Sequence, residues 1–226
     1  MPMVPVYYCH LTLATQPINE PVTKIGGAPV FFQQTEWPLC RECSQPLQFL
    51  AQFRLDQPLP LARRYQMAYV FMCAECNSTY DPESGTNAVL LQSEDTDTFV
   101  EPGLNPLLEF TAELVYREEP VLDEGMEPET WDRLAARVSE ETKIGGTPRW
   151  VQFEEIPACP QCSGRTNYTA QINELLIDPA QQVVTRMWDE PAQQIILEFG
   201  DAGRSYIFLC AKECAPRGAA FLWQCS

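Results

Sequence analysis

The sequence predicts a mainly β, β-rich α+β chain built from two tandem, pseudo-symmetric modules, each clipped by four cysteines. Three observations carry this. TKIGG, followed one residue later by Pro, occurs at 23–29 and again at 142–148, 119 residues on. Eight of the ten cysteines fall into four close pairs, two per repeat. Short runs rich in Val, Ile, Phe, Tyr and Trp, broken by Pro, Gly or Asn, recur along the chain, and 20 prolines argue against long helices.

Other features repeat in the same order. CREC at 40–43 matches CPQC at 159–162, and LAQ at 50–52 matches TAQ at 169–171, both 119 apart. YVFMC at 69–73 recurs as YIFLC at 206–210, now 137 apart, so the second copy carries about 18 extra residues. A surface loop absorbs such a length at little entropic cost. Each copy closes on an apolar segment, AVLLQ at 88–92 and AFLWQ at 220–224. The modules are therefore 1–103 and 104–226, packed as one compact unit. Chains of this size bury modest cores, and small modules need staples.

In the first module, strands are expected at 6–14, 29–34, 47–55, 66–73 and 87–92. In the second they fall at 107–117, 148–153, 167–175, 182–188, 194–199, 205–210 and 219–224. One helix is expected from 128 to about 142: Pro128 suits a first helical turn, and Trp131, Leu134 and Val138 share a face. The insertion extends a hairpin, with Val183, Val184, Met187 and Trp188 in a strand and Asp189, Glu190 and Pro191 in its turn.

The repeated corner is Lys24, Gly26, Gly27 and Pro29, then Lys143, Gly145, Gly146 and Pro148. Paired glycines permit a tight turn or a close backbone approach, and the proline sets an extended entry to the next segment. Two readings stand: a structural corner seated beside the cysteines, and a peptide-facing loop. The first is favoured, since turn glycines mostly serve backbone geometry.

The cysteine pairs are Cys40 with Cys43, Cys73 with Cys76, Cys159 with Cys162 and Cys210 with Cys214. Zn²⁺ takes four tetrahedral ligands, and two such pairs supply them. Ser44, Ser163 and Gly164 come after the pairs and suit turns that free backbone N–H groups to reach thiolates. The gaps between pairs, 29 and 47 residues, exceed the spacing of about 15–20 in a simple ribbon. Strands must lie between them, so each ion would join the ends of distant strands. Two zinc ions are expected, one per module; the competing readings are reduced, buried thiols and zinc retained in one module alone. Cys9 and Cys225 lie outside the pairs and read as packed free thiols.

The net charge is −16, and residues 94–141 hold 15 acidic and 3 basic residues, a net of −12. Clustered Lys and Arg, which phosphate recognition wants, are lacking, so nucleic acid is disfavoured. A basic protein is the natural complement; a solvated acidic linker is the plainer alternative. Glu113, Glu118, Glu119, Asp123, Glu124, Glu127 and Glu129 would attract such a partner. No run of 18 apolar residues suggests a membrane helix, and MPMVPVYYCHLTL lacks the basic start of a signal peptide. The expectation is a cytoplasmic protein, where cysteines serve as metal ligands rather than disulfides.

Catalysis is not expected. Closed four-cysteine sites stabilise rather than activate water. The single histidine, His10, sits on a strand beside Cys9, and adjacent strand residues point to opposite faces. A binding role has two rivals: an immunity or regulatory protein masking a basic toxin or enzyme, and a hydrolase with an unrecognised carboxylate site.

KIGGAP, then CREC, then a strand ending in Gln52, then YVFMCAEC resembles the programmed cell death protein two family, whose yeast relatives are ribosome-assembly factors. The GGxP corner and FLAQ at 49–52 are also similar to the bacterial YwqG-like family of unknown function. The likeness covers 22–92 and 141–224. It departs at Arg64, Tyr65 and Gln66, where the first family carries Phe-His-Arg, and at Asn167, Tyr168 and Thr169 in the second copy. The resemblance implies an acidic chaperone or adaptor for a basic, ribosomal protein, with a part in ribosome biogenesis.

Overall fold

The protein is described by a computed structural model covering residues 2–94, 97–101, 103, 105–122, 125–184 and 193–226. Its elements are β1 (Met3–Leu13), β2 (Lys24–Ile25), β3 (Val30–Phe31), β4 (Gln48–Arg54), β5 (Met67–Met72), β6 (Asn87–Gln92), β7 (Phe99–Val100), β8 (Phe110–Pro120), α1 (Pro128–Ala135), β9 (Lys143–Gly145), β10 (Thr166–Asn173), β11 (Leu175–Ile177), β12 (Val183–Val184), β13 (Gln194–Leu197), β14 (Arg204–Cys210) and β15 (Ala219–Gln224). The chain is mainly β, as its composition predicts.

Ten strands form one sheet in the order β15-β14-β10-β9-β1-β8-β2-β4-β5-β6. Read inward from either edge, the order is the same: a closing strand, YxFxC, the AQ strand, the corner, then a long strand. Even the irregularities repeat. A bulge between Phe49 and Ala51 in β4 recurs between Tyr168 and Ala170 in β10, at the matching positions. The long central strands β1 and β8 pair antiparallel from Met3 opposite Pro120 to Leu13 opposite Phe110. These two strands are exchanged. β8, which comes after the first repeat in sequence, bonds to that repeat's corner strand β2, whereas β1 at the start of the chain bonds to β9 of the second.

The sheet curls until its edge strands β6 and β15 lie side by side. Two hydrogen bonds lace this seam: Leu91 N–H donates to the Pro216 carbonyl at 2.7 Å, and Trp223 Nε1 to Thr79 Oγ1 at 3.1 Å. The curl encloses one apolar core drawn from both halves, with Leu50, Phe53 and Val70 packed with Phe110, Ile172, Ile207 and Phe221. A shared core of this kind makes the halves mutually dependent for burial.

The expected strands at 29–34 and 148–153 are not strands in that form. Only Val30–Phe31 is paired, with β7, and residues 148–153 form none. Their backbone groups are met by side chains instead. Gln52 Oε1 accepts from Val30 N–H at 2.9 Å, Tyr69 OH donates to the Val30 carbonyl at 2.9 Å, and Gln92 Oε1 accepts from Phe32 N–H at 2.8 Å. In the second half, Gln171 accepts from Arg149 N–H at 3.1 Å, Tyr206 donates to the Arg149 carbonyl at 2.7 Å, and Gln224 accepts from Gln152 N–H at 3.2 Å. Each post-corner chain is thus clamped across the outer face of the sheet by a buried Gln, Tyr and Gln.

The helix also ends earlier than expected, at Ala135. Arg137 and Val138 bond back three residues, to Leu134 and Ala135, a tighter turn that breaks the α-helical spacing. Leu134 and Val138 are buried as their spacing predicts. The insertion adds a small sheet in the order β12-β11-β13. Met187, Trp188, Asp189, Glu190 and Pro191 lie outside the described residues.

Candidate metal centres

Each repeated corner opens with a short strand, β2 or β9, that carries a lysine into the protein. Gly26 and Gly27 come next at φ 68° and 68°, and Gly145 and Gly146 at 72° and 73°. This left-handed turn costs a residue with a Cβ about 1 kcal/mol or more. Close approach matters as much: a Cβ on Gly26 would stand 1.9 Å from the Leu108 carbonyl oxygen, and one on Gly145 would stand 3.0 Å from that of Pro5. The corner therefore packs on the incoming ends of β8 and β1 rather than on the cysteines.

The sequence places both lysines in the corner but gives no sign of their burial. Both are fully buried. Lys143 Nζ donates to both Glu119 carboxylate oxygens at 2.7 Å and to the Thr147 carbonyl at 2.7 Å. Lys24 Nζ pairs with Glu109 and donates to the Ala28 carbonyl at 2.6 Å. Burial pulls Lys143 down to about 8, with the Glu119 charge opposing the shift. Glu109, immediately before β8, and Glu119, near its end, supply the counter-ions to the two corners.

This corrects one partner residue. Glu119 is fully buried, and besides Lys143 it accepts from the N–H groups of Thr147 at 2.9 Å and Ser139 at 3.0 Å. A carboxylate so engaged holds the fold and presents nothing to a partner. Glu113 and Glu118 on β8, and Glu127 and Glu129 at the start of α1, are exposed. Asp123 and Glu124 lie outside the described residues. His10 is exposed and stands opposite Glu113 in the β1–β8 ladder.

The eight paired cysteines assemble into two groups. Cys40, Cys43, Cys73 and Cys76 form one and Cys159, Cys162, Cys210 and Cys214 the other, with the sulfurs of each group within 4.8 Å of one another. Each could hold a metal ion. In the first, Cys40 Sγ lies 3.7 Å from Cys76 Sγ and Cys43 Sγ lies 3.6 Å from Cys73 Sγ. In the second, Cys159 to Cys214 is 3.5 Å and Cys162 to Cys210 is 3.7 Å. A Zn–S bond of about 2.3 Å and a tetrahedral angle put neighbouring sulfurs about 3.8 Å apart. The donor sets fit that geometry.

The local chain explains the fit. Each first pair sits on a turn in which the next residue, a serine, doubles back. Ser44 N–H donates to the Cys40 carbonyl at 2.9 Å and Ser163 N–H to that of Cys159 at 2.8 Å, with both serines at positive φ. The second pairs leave the ends of β5 and β14. Burial opposes charge on Cys210, but backbone N–H groups from Cys214 and Lys212 outweigh it and bring the thiol down to about 6. Burial and the neighbouring sulfurs push Cys214 up to about 12. Four crowded thiols resist full ionisation until a cation shares them.

Cys9 is buried in the shared core, where burial raises its thiol to about 12. Cys225 is half-buried against Gly200. Among the described residues, no helix is long and apolar enough to cross a membrane.

These features define a class: a two-fold repeated, curled β sheet with a four-cysteine centre in each half. The chain belongs to the family described as a domain of unknown function, DUF1963, whose model matches residues 23–225. The YwqG-like part of the sequence resemblance is the part this match bears out. The chain is also 33% identical over 57 residues, 25% of its length, to the uncharacterized protein YpfL of Salmonella typhimurium (strain LT2), and the match spans 13% of that relative.

Proposed function

We propose that this chain is a non-enzymatic, cytoplasmic zinc protein that captures a basic protein segment, acting as a chaperone or adaptor. The observation that carries the metal half is the pair of closed four-sulfur sets at tetrahedral spacing. Thiolate-only sets favour zinc over harder cations and leave no open position for water. Glu113, Glu118, Glu127 and Glu129 supply the exposed acidic surface, within a chain of net charge −16. The resemblance to the programmed cell death protein two family supports a ribosomal protein as the partner.

Capture by the tagged protein, at low and moderate salt, tests the partner half. The reading expects one strongly basic protein, released as salt rises. It also expects Glu113→Lys, Glu118→Lys, Glu127→Lys and Glu129→Lys together to slow association and remove its salt dependence. Binding untouched by those four reversals overturns the electrostatic assignment.

A further inference from the structure

Resting on that zinc reading, we infer that the two centres are unequal: the second exchanges its zinc readily and controls the seam of the sheet, while the first releases its ion slowly. The halves are close copies, so their differences are informative. In the first centre, Cys40 and Cys73 are buried, Cys43 and Cys76 are half-buried, and all four pack in an apolar cluster with Phe31, Phe49, Phe71 and Trp37. In the second, Cys162 is exposed, and the outer cluster of Tyr206, Phe208, Ala220 and Leu222 contains none of the four cysteines.

Two glycines sharpen the contrast. Cys40 N–H donates to the Gln45 carbonyl as Cys159 N–H does to Gly164, and Cys73 N–H donates to the Thr86 carbonyl as Cys210 N–H does to Gly218. These backbone bonds fix the equivalence. Where the first centre has the side chains of Gln45 and a buried Thr86, the second has none. A Cβ added at Gly164 would lie 3.1 Å from Cys162 Sγ, and one at Gly218 3.1 Å from Cys214 Sγ. Cys162, exposed where its counterpart Cys43 is half-buried, is therefore the sulfur open to an incoming thiol or chelator. Ligand exchange at zinc proceeds by such attack, so cover sets its rate.

Residues 211–218 connect this centre to the seam. The Glu213 carboxylate accepts from the backbone N–H of Arg63 at 2.9 Å and of Arg64 at 2.5 Å. Pro216 accepts from Leu91 N–H. All three bonds tie the loop between Cys210 and β15 to the opposite half. Glu213 makes the first two at φ 48°, in a turn closed by its own N–H donating to the Cys210 carbonyl at 2.9 Å and flanked by Cys210 and Cys214. Release of the second centre frees that loop and loosens β6 from β15.

Purified zinc-loaded protein is challenged with a chromogenic chelator while zinc release is followed in time. One equivalent leaves at least about tenfold faster than the other. Native mass spectrometry of the one-zinc species, with hydrogen exchange, shows increased exchange at 88–92 and 214–224. Cys162→Ser abolishes the fast equivalent and keeps the slow one, whereas Cys43→Ser, at the matching position, removes the slow one. Gly164→Gln slows the fast phase without removing a ligand, so the test survives if a cysteine variant does not fold. Two equivalents released at one rate, or a fast phase that survives Cys162→Ser, overturn the inference while leaving the zinc reading intact. Protein that never holds zinc overturns both.

Discussion

Replacing Glu119 with Gln is the sharpest probe of how the corners are held. The change keeps shape and one carbonyl oxygen but removes the charge facing Lys143. The ammonium is then buried without a counter-ion, where the parent gives it both carboxylate oxygens at 2.7 Å. Breaking a buried pair from one side costs about 3–5 kcal/mol. Lys143 can escape part of that cost by shedding its proton. For a chain of this size, such a loss lowers Tm by roughly 10 °C. The direction with pH is also fixed. A folded state holding neutral lysine binds fewer protons than the unfolded chain, so the variant gains stability as pH rises. The parent gains less over the same range, because its Lys143 already sits near 8. The deficit therefore shrinks by about 1 kcal/mol between pH 7 and 9. Adding Lys143→Met should recover most of the loss, since the introduced glutamine can still accept from the N–H of Thr147 or Ser139. Urea unfolding followed by tryptophan fluorescence measures all three proteins. A Glu119→Gln cost below about 1 kcal/mol, or a double variant as unstable as the sum of the singles, would falsify the account of the corner.

Gln52→Leu leaves Val30 N–H and the Val22 carbonyl without partners and should cost about 2–4 kcal/mol, read from the urea midpoint. Gln171→Leu, the matching change, should cost a similar amount; a neutral result at either site refutes the side-chain clamp. Lys24→Met should destabilise less than Glu119→Gln in the same assay, because it leaves Glu109, 15% exposed, able to reach water. Phe71→Ala removes the ring between Trp37 and Phe49 beside the first centre and should cost about 3–5 kcal/mol, with faster zinc release from that centre alone.

Much of this was legible in the sequence because the chain says it twice. The cysteine spacing named both ligand groups, and the 119-residue offset survives in the sheet down to the bulge beside Ala51 and Ala170. The exchange of β1 and β8 was not legible. Both strands carry ordinary alternating patterns, and nothing local distinguishes pairing with one corner from pairing with the other. Glu119 reads as a surface acid because it sits in a charged run with Arg117 and Glu118. Only the approach of Lys143, 24 residues on, buries it. The segments after the corners look like strands because Val30, Phe31, Trp150 and Val151 are strand formers. Their backbone partners are Gln and Tyr side chains, whose signal is present in the repeated AQ, YxF and terminal Gln but points to no geometry.

The central claim is that each half is clipped by one metal ion on four thiolates. The most direct measurement is the metal content of protein purified without added metal, by native mass spectrometry set against the denatured mass. Two zinc ions per chain are predicted, falling to one in Cys162→Ser or Cys43→Ser. A folded parent whose native and denatured masses agree would contradict the claim.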